Sequence, residues 1–161
     1  MDRFEFEVSG IYYCTKDLIS VSESSSYFGK SDADLISHYP DGKRIYKYYF
    51  QKAVPTLIPE PSNRHDRNAI MVALNGKRIG YVPANLCAKV KLLIKKPYKV
   101  SIKVHGGPSK KVSGNDVLVD NFDFIADVSI SIDRPAVSSK NGKLLSNLFG
   151  SIKENLRSLH K

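Results

Sequence analysis

The pattern of apolar residues predicts a mostly-β (α+β) protein: a small, strongly bent sheet or barrel with one main helix. Three observations carry this. Phe4, Phe6 and Val8 alternate with Glu5, Glu7 and Ser9, and Val100, Ile102 and Val104 alternate with Lys99, Ser101 and Lys103, the period of two that buries one face of a strand. Asn75-Gly76 separates the apolar runs Ala69–Leu74 and Arg78–Val82, and this pair suits the positive φ angles of a two-residue hairpin turn. Between Pro83 and Pro97 the period changes: Leu86, Val90, Leu93 and Ile94 fall at i, i+4, i+7 and i+8 and share one helical face.

From the N-terminus, Phe4 to Val8 form the first strand, Gly10 frees the backbone, and Ile11-Tyr12-Tyr13-Cys14 continues the extended reading. Thr15 to Gly42 is polar and serine-rich, with a short helix opened by Ser31 and Asp34 in capping-box fashion and closed by the turn Pro40-Asp41-Gly42. The segment 15–53 is thus an excursion from the sheet. Lys43 to Ala53 reads as a strand rich in aromatics, followed by Val54–Ile58, broken by Pro55. After the main helix, with Lys95 and Lys96 favoured at its C-terminal end and Pro97 stopping it, Gly106-Gly107-Pro108 reads as a turn. A polar loop then leads to extended segments at Val117–Val119, Phe122/Phe124 and Val128/Ile130/Ile132. Ser138–Gly142 reads as a linker, and Leu144, Leu148, Ile152, Leu156 and Leu159 place an apolar stripe on a basic C-terminal amphipathic helix interrupted by Gly150. Docking of that helix on its own domain or on a neighbour is the preferred account. Membrane-surface binding competes with it but has only Phe149 as an aromatic anchor. The expected organisation is one domain over 1–133 and a linker with the basic helix over 134–161.

A length of 161 residues suits one domain, and 42% hydrophobic residues place the chain among globular rather than disordered proteins. No signal-peptide pattern opens the chain and no stretch is long and apolar enough to span a membrane, so a cytoplasmic protein is expected. Cys14 and Cys87 lie too far apart in sequence for a metal-ligand spacing and are too few for a disulfide framework; both are expected reduced and partly buried. The net charge of +9 is segregated: residues 1–42 carry −5, residues 43–111 carry +14, residues 112–133 carry −5 and residues 134–161 carry +5. So lopsided a middle segment is expected to make a positive face that attracts polyanions. A solvated lysine surface is the competing account.

The most informative stretch is Glu60 to Ile70, where seven non-apolar residues, Ser62 to Asn68, stand together between two prolines and the apolar run that starts at Ala69. Such a loop can present Asn, His, Asp and Arg side chains to one ligand, although Asp66 and Asn68 could equally serve only to form the turn. His65 beside Asp66 invites a general-base reading. Adjacent residues of an extended segment point to opposite faces, however, and no Ser or Cys nucleophile motif accompanies them. His38, His65, His105 and His160 have no metal-site spacing. No catalytic residue, metal or cofactor is therefore expected. A nuclease would need divalent-metal-dependent cleavage that disappears in Asp66→Asn. Binding of single-stranded nucleic acid fits better, since it needs cations along the backbone and aromatic faces under the bases. Tyr12, Tyr13, Tyr46, Tyr48, Tyr49, Tyr81 and Tyr98 offer the faces, unless several only fill the core.

Gly10-Ile11-Tyr12-Tyr13, then Glu60-Pro61-x-Asn63-x-x-Asp66-x-Asn68-Ala69-Ile70-x-Val72, then Gly76-x-x-Ile79-Gly80-Tyr81-Val82-Pro83 resemble the successive signatures of the HIRAN domain family, over about residues 4–132. The resemblance implies a compact OB-like or SH3-like β-barrel, found alone in bacteria and phages or fused to fork-remodelling helicases, that captures single-stranded DNA at a 3′ end. By motif position it implies that Asp66 contacts the terminal 3′-hydroxyl, that Tyr13 stacks on a terminal base and that Asn63 supports the pocket. His65 stands where DNA-binding eukaryotic members have a second stacking aromatic, Tyr81 replaces a polar ring, and Ala84 stands where a phosphate-binding lysine is expected. Charge alone adds Arg67, Lys77 and Arg78 as phosphate contacts.

The expected function is non-catalytic binding of single-stranded DNA near a 3′ terminus, in DNA repair, replication or a mobile-element setting. The nucleic-acid-binding residues would be Tyr12, Tyr13, Asn63, His65, Asp66, Arg67, Lys77, Arg78 and Tyr81. The alternative is a protein-interaction or regulatory module that uses the 15–53 excursion and the C-terminal helix for a protein partner or self-association.

Overall fold

The computed structural model describes residues 2–132. The proposed C-terminal helix lies outside the described residues. In chain order the elements are β1 (Asp2–Glu7), a 3-10 turn (Ile11–Cys14), α1 (Thr15–Ser20), β2 (Glu23–Ser24), α2 (Asp32–His38), β3 (Arg44–Tyr46), β4 (Tyr48–Tyr49), β5 (Pro55–Pro59), β6 (Ile70–Leu74), β7 (Lys77–Tyr81), a second 3-10 turn (Ala84–Leu86), α3 (Cys87–Leu93), β8 (Tyr98–Ser113) and β9 (Asp116–Ile132). The mostly-β class is as expected. The strands form three open sheets, ordered β1-β9-β8-β3, β2-β4 and β5-β6-β7. The main helix is α3, and the short helix opened by Ser31 is α2, as expected; α1 is additional, arising in the polar 15–53 segment where too few apolar residues fall in register for a helical period to stand out.

The β6–β7 hairpin turns at Asn75-Gly76, both with positive φ (48° and 78°), as the residue pair requires. Ser31 caps α2, its hydroxyl accepting the Asp34 N–H at 3.2 Å and donating to the Asp34 carboxylate at 2.6 Å; this hydrogen bond holds the Asp34 carboxyl below its usual pKa. Pro55 opens β5, an edge strand, where a missing N–H is tolerated. Two extended readings are corrected. Ile11–Cys14 is a 3-10 turn, because Gly10 enters with φ 77° and its carbonyl accepts the Tyr13 N–H. Lys43–Ala53 is two short strands in different sheets, since Lys47 breaks away to bond Pro108 and Ser25 through its backbone.

The largest departure is at Gly106-Gly107-Pro108, which is no turn. The strand runs on through a bulge, and β8 and β9 pair in register from Tyr98↔Ile132 to Ser113↔Asp116 with one irregularity between His105 and Gly107. A Cβ at Gly106 (φ 113°) would overlap the Asp123 carbonyl, and one at Gly107 would meet the Phe124 ring at 2.6 Å. These glycines therefore serve a close crossing of two strands. The main core lies where the β1-β9-β8 sheet meets β5-β6-β7 and α3, with Val128, Ile130, Ile70, Val72, Leu74, Ile79 and Val90 fully buried; full burial of each contributes about 1.5–3 kcal/mol. A second, small core of Leu35, Ile45 and Val112 seats α2 on β3 and β8.

Candidate nucleic-acid interface

The loop between β5 and β6 is closed at its neck by Glu60 N–H donating to Ala69 C=O at 2.9 Å. Inside it, Asn63 is committed to the loop's own shape. Its side-chain carbonyl accepts the backbone N–H of His65 (2.9 Å) and of Asp66 (3.2 Å), and its amide donates to Glu60 at 2.9 Å. Asp66, half-buried, accepts the Asn68 N–H at 2.7 Å through Oδ1. The turn-forming role considered for Asp66 is thus real, but it uses one of a carboxylate's roughly four acceptor positions. Arg64, His65 and Arg67 are exposed. The loop is also tethered from outside: Lys91 Nζ, on α3, donates to Asn68 Oδ1 at 2.9 Å and to the Arg67 carbonyl at 3.4 Å.

The tyrosines owe their presentation to the 3-10 turn. Ile11 and Cys14, three apart, face inward, which leaves Tyr12 and Tyr13 75% and 87% exposed and in edge-on contact at 5.7 Å. They rise beside a groove of about 530 Å³ whose other wall includes Pro83 and Leu86. The next residue is Cys87, whose thiol is pushed up in pKa by burial first and further by the Asp66 carboxylate. Pro83 and Leu86 thus adjoin the exposed tyrosines, and Cys87, which follows them, is near enough to Asp66 to feel its charge. Of the loop residues, Asn63, His65, Asp66 and Arg67 do not line the tyrosine groove itself.

Tyr81 and Arg78 belong with the tyrosines. Ser9 and Tyr81 exchange backbone hydrogen bonds at 2.9 Å each way, tying the chain just before Gly10 to β7. Gly80 permits this approach, since a Cβ there would stand 2.5 Å from the Ser9 carbonyl. Arg78 donates to the Tyr81 hydroxyl at 3.3 Å, and that hydroxyl first, then the Cys14 thiol, raise its pKa further. Tyr81 is half-buried and offers less open face than Tyr12 or Tyr13. Lys77 stands apart. It pairs with Leu74 at the turn end of the hairpin, whereas the Asp66 loop enters at Ile70, four residues or about 13 Å away along the strand. The nine residues thus fall into a loop group, a tyrosine group and an outlying lysine.

The fold redistributes the charge. The acidic segment after 111 folds back on the lysines before it, so that Lys103 pairs with Asp127 across the ladder, and Arg44 meets Asp120 at 2.6 Å. Lys110 lies 3.8 Å from Asp32. Within 61–97, by contrast, Asp66 is the only acid against Arg64, Arg67, Lys77, Arg78, Lys89, Lys91, Lys95 and Lys96. The positive surface is accordingly the β5–β6 loop, the β6–β7 hairpin and α3, a smaller region than 43–111.

The family model of the HIRAN domain matches residues 2–121. The chain belongs to the HIRAN domain family. A crystal structure of the HIRAN domain of human HLTF is similar at 15% identity, over 80% of this chain and 74% of that one, with a TM-score of 0.34, a likeness too slight to argue from. No curated protein matches the chain.

In this HIRAN domain the family signatures coincide with the structural joints: Gly10 opens the 3-10 turn, Asn63 and Asp66 shape the loop, and Gly80 admits Ser9 to β7. Sequence reasoning missed Lys91 and the Pro83–Leu86 wall. Lys91 reads as one more solvated helix lysine, and its partners lie 23 and 24 residues away, beyond any local pattern. Among the described residues no cluster of His, Cys, Asp and Glu could hold a metal ion, and no helix is long and apolar enough to cross a membrane.

Proposed function

We propose that this HIRAN domain binds single-stranded DNA without catalysis and reads a 3′ terminus. DNA binding belongs to the family. The observations that carry the reading for this chain are the pair of outward tyrosines and a loop in which the Asp66 carboxylate stands between Arg64 and Arg67 in sequence. Tyr13 supplies the face on which a terminal base stacks, and Tyr12, packed edge-on against it, holds it upright. Arg67 and Arg64 attract the phosphates. Asp66 accepts a hydrogen bond from the terminal 3′-hydroxyl, a donor that a chain end has and an internal DNA nucleotide lacks. Asn63 acts by fixing the loop, and His65 offers a small second ring. Lys77 contributes to long-range attraction at most.

Anisotropy with oligonucleotides ending in a 3′-hydroxyl or a 3′-phosphate tests this. Asp66→Ala is expected to weaken binding of the hydroxyl end about tenfold, the scale of a hydrogen bond to a charged group at about 1.5 kcal/mol, and to leave the phosphate end unchanged or tighter. Equal losses on both ends would remove end recognition and leave general DNA binding.

A further inference from the structure

Tyr12 is shared between two grooves. On the side away from Pro83 it lines a second groove of about 370 Å³, between α1 and the bulged β8–β9 hairpin, together with Ile19, Tyr48, Phe122 and Phe124. The volume lies within the range of small-ligand sites. This groove exists because β1 leaves the sheet: β1 pairs with β9 only at residues 127–132, and the chain then turns at Gly10. The bulge at His105/Gly107 presses Gly107 against the Phe124 ring. Phe122, by contrast, remains 46% exposed, which leaves its ring open to a stacking partner.

We propose that this groove is a second base-binding subsite for the same single strand, reached after the strand passes Tyr12. Tyr12 would then be the partition between a terminal base on the Tyr13 side and a later base on the Phe122 side. The proposal rests on the single-strand reading above and extends the site beyond the terminus. Two cations accompany the rings: the Arg44 guanidinium lies 4.7 Å from the Phe122 ring centre, and the Lys47 ammonium 5.3 Å from that of Tyr48. Aromatic faces flanked by cations are what a single strand requires. Arg44 is held by Asp120 at 2.6 Å, which leaves Lys47 as the phosphate contact. Asp123, which also lines the groove, repels phosphate, and Lys47, outside the lining beside Tyr48, attracts it, so the backbone passes on the Lys47 side.

The test uses the full chain and deoxythymidine oligonucleotides with free 3′-hydroxyls, the shorter of about one nucleotide, which fills only the end site, and the longer of about twelve, within the range of typical single-strand site sizes. Phe122→Ala is expected to weaken the longer oligonucleotide about fivefold or more, the scale of one lost base stack, and to leave the shorter at wild-type affinity. Phe122→Trp is expected to restore the longer. A 2-aminopurine placed several nucleotides from the 3′ end is expected to be quenched by the wild type and not by Phe122→Ala. Wild-type affinity of Phe122→Ala for the longer oligonucleotide, or equal loss on both lengths, overturns the second subsite while leaving the end site standing. If Asp66→Ala and Tyr13→Ala bind the short oligonucleotide as the wild type does but Phe122→Ala still loses the long one, the end reading falls and the groove stands. If the wild type binds neither, both fall.

Discussion

Two hairpins of this protein solve the same connection in opposite ways. β6–β7 is short, turns on Asn75-Gly76 and carries cations that no nearby sequence stretch neutralises. β8–β9 is long, crosses itself closely at a glycine bulge, sets Lys103 opposite its own Asp127 and gives Asp120 to Arg44. The difference teaches that a charge profile along a sequence describes a surface only after the pairing register is known. An antiparallel ladder folds the end of a segment onto its beginning, so the +14 of residues 43–111 is partly answered by the strand that follows it. The cations left densest for a polyanion are those of the short hairpin, its incoming loop and α3, with Lys47 apart from them.

The largest expected effect separates the hairpins by packing. Gly106→Ala is expected to destabilise the domain by about 3 kcal/mol, from positive φ and backbone overlap together, whereas Gly76→Ala, with open space around its Cβ position, costs about 1 kcal/mol through φ alone. Urea unfolding of both variants measures this, and equal losses would mean the bulge can relax. The next effect separates them by charge. Arg64→Glu with Arg67→Glu is expected to lower single-strand affinity at least about tenfold and to reduce the slope of log affinity against log salt by about two. Lys103→Glu with Lys111→Glu is expected to change either little, and a matching loss there would restore a positive face over the whole of 43–111. The smallest effect concerns pH. The Cys87 thiol is raised above its ordinary value by burial, so the stability it contributes is complete below the unfolded thiol's pKa of about 8.5 and is lost as pH rises through the folded value. Melting temperature is expected to fall faster between about pH 8.5 and pH 10 in the wild type than in Cys87→Ala, which starts lower but on a flatter slope.

Features set by neighbours along the chain are legible in the sequence. Asn75-Gly76, the Ser31–Asp34 cap and the face made by Leu86, Val90, Leu93 and Ile94 each depend on a few nearby residues, and each appears where expected. Gly106-Gly107-Pro108 misleads because the same residues serve a turn or a bulge, and the deciding contact, with Asp123 and Phe124, lies well beyond a local window. Tyr12 and Tyr13 are legible as ring donors, yet their outward stance comes from a 3-10 turn that an extended reading does not contain. The loop residues are legible as a group. The Lys91 tether and the wall formed by Pro83 and Leu86 are not, since both require α3 to be docked first.

Ile132 is paired with Asp2 on one flank and with Tyr98 on the other, so the described chain enters and leaves side by side at one end of the large sheet. The tyrosine turn lies beyond the opposite end of β1, about 20 Å off for a six-residue strand. A domain wired in this way can be spliced into a longer polypeptide like a bulb into a socket: both wires emerge at the base, and the end that carries Tyr12 and Tyr13 is left clear of whatever it is mounted on.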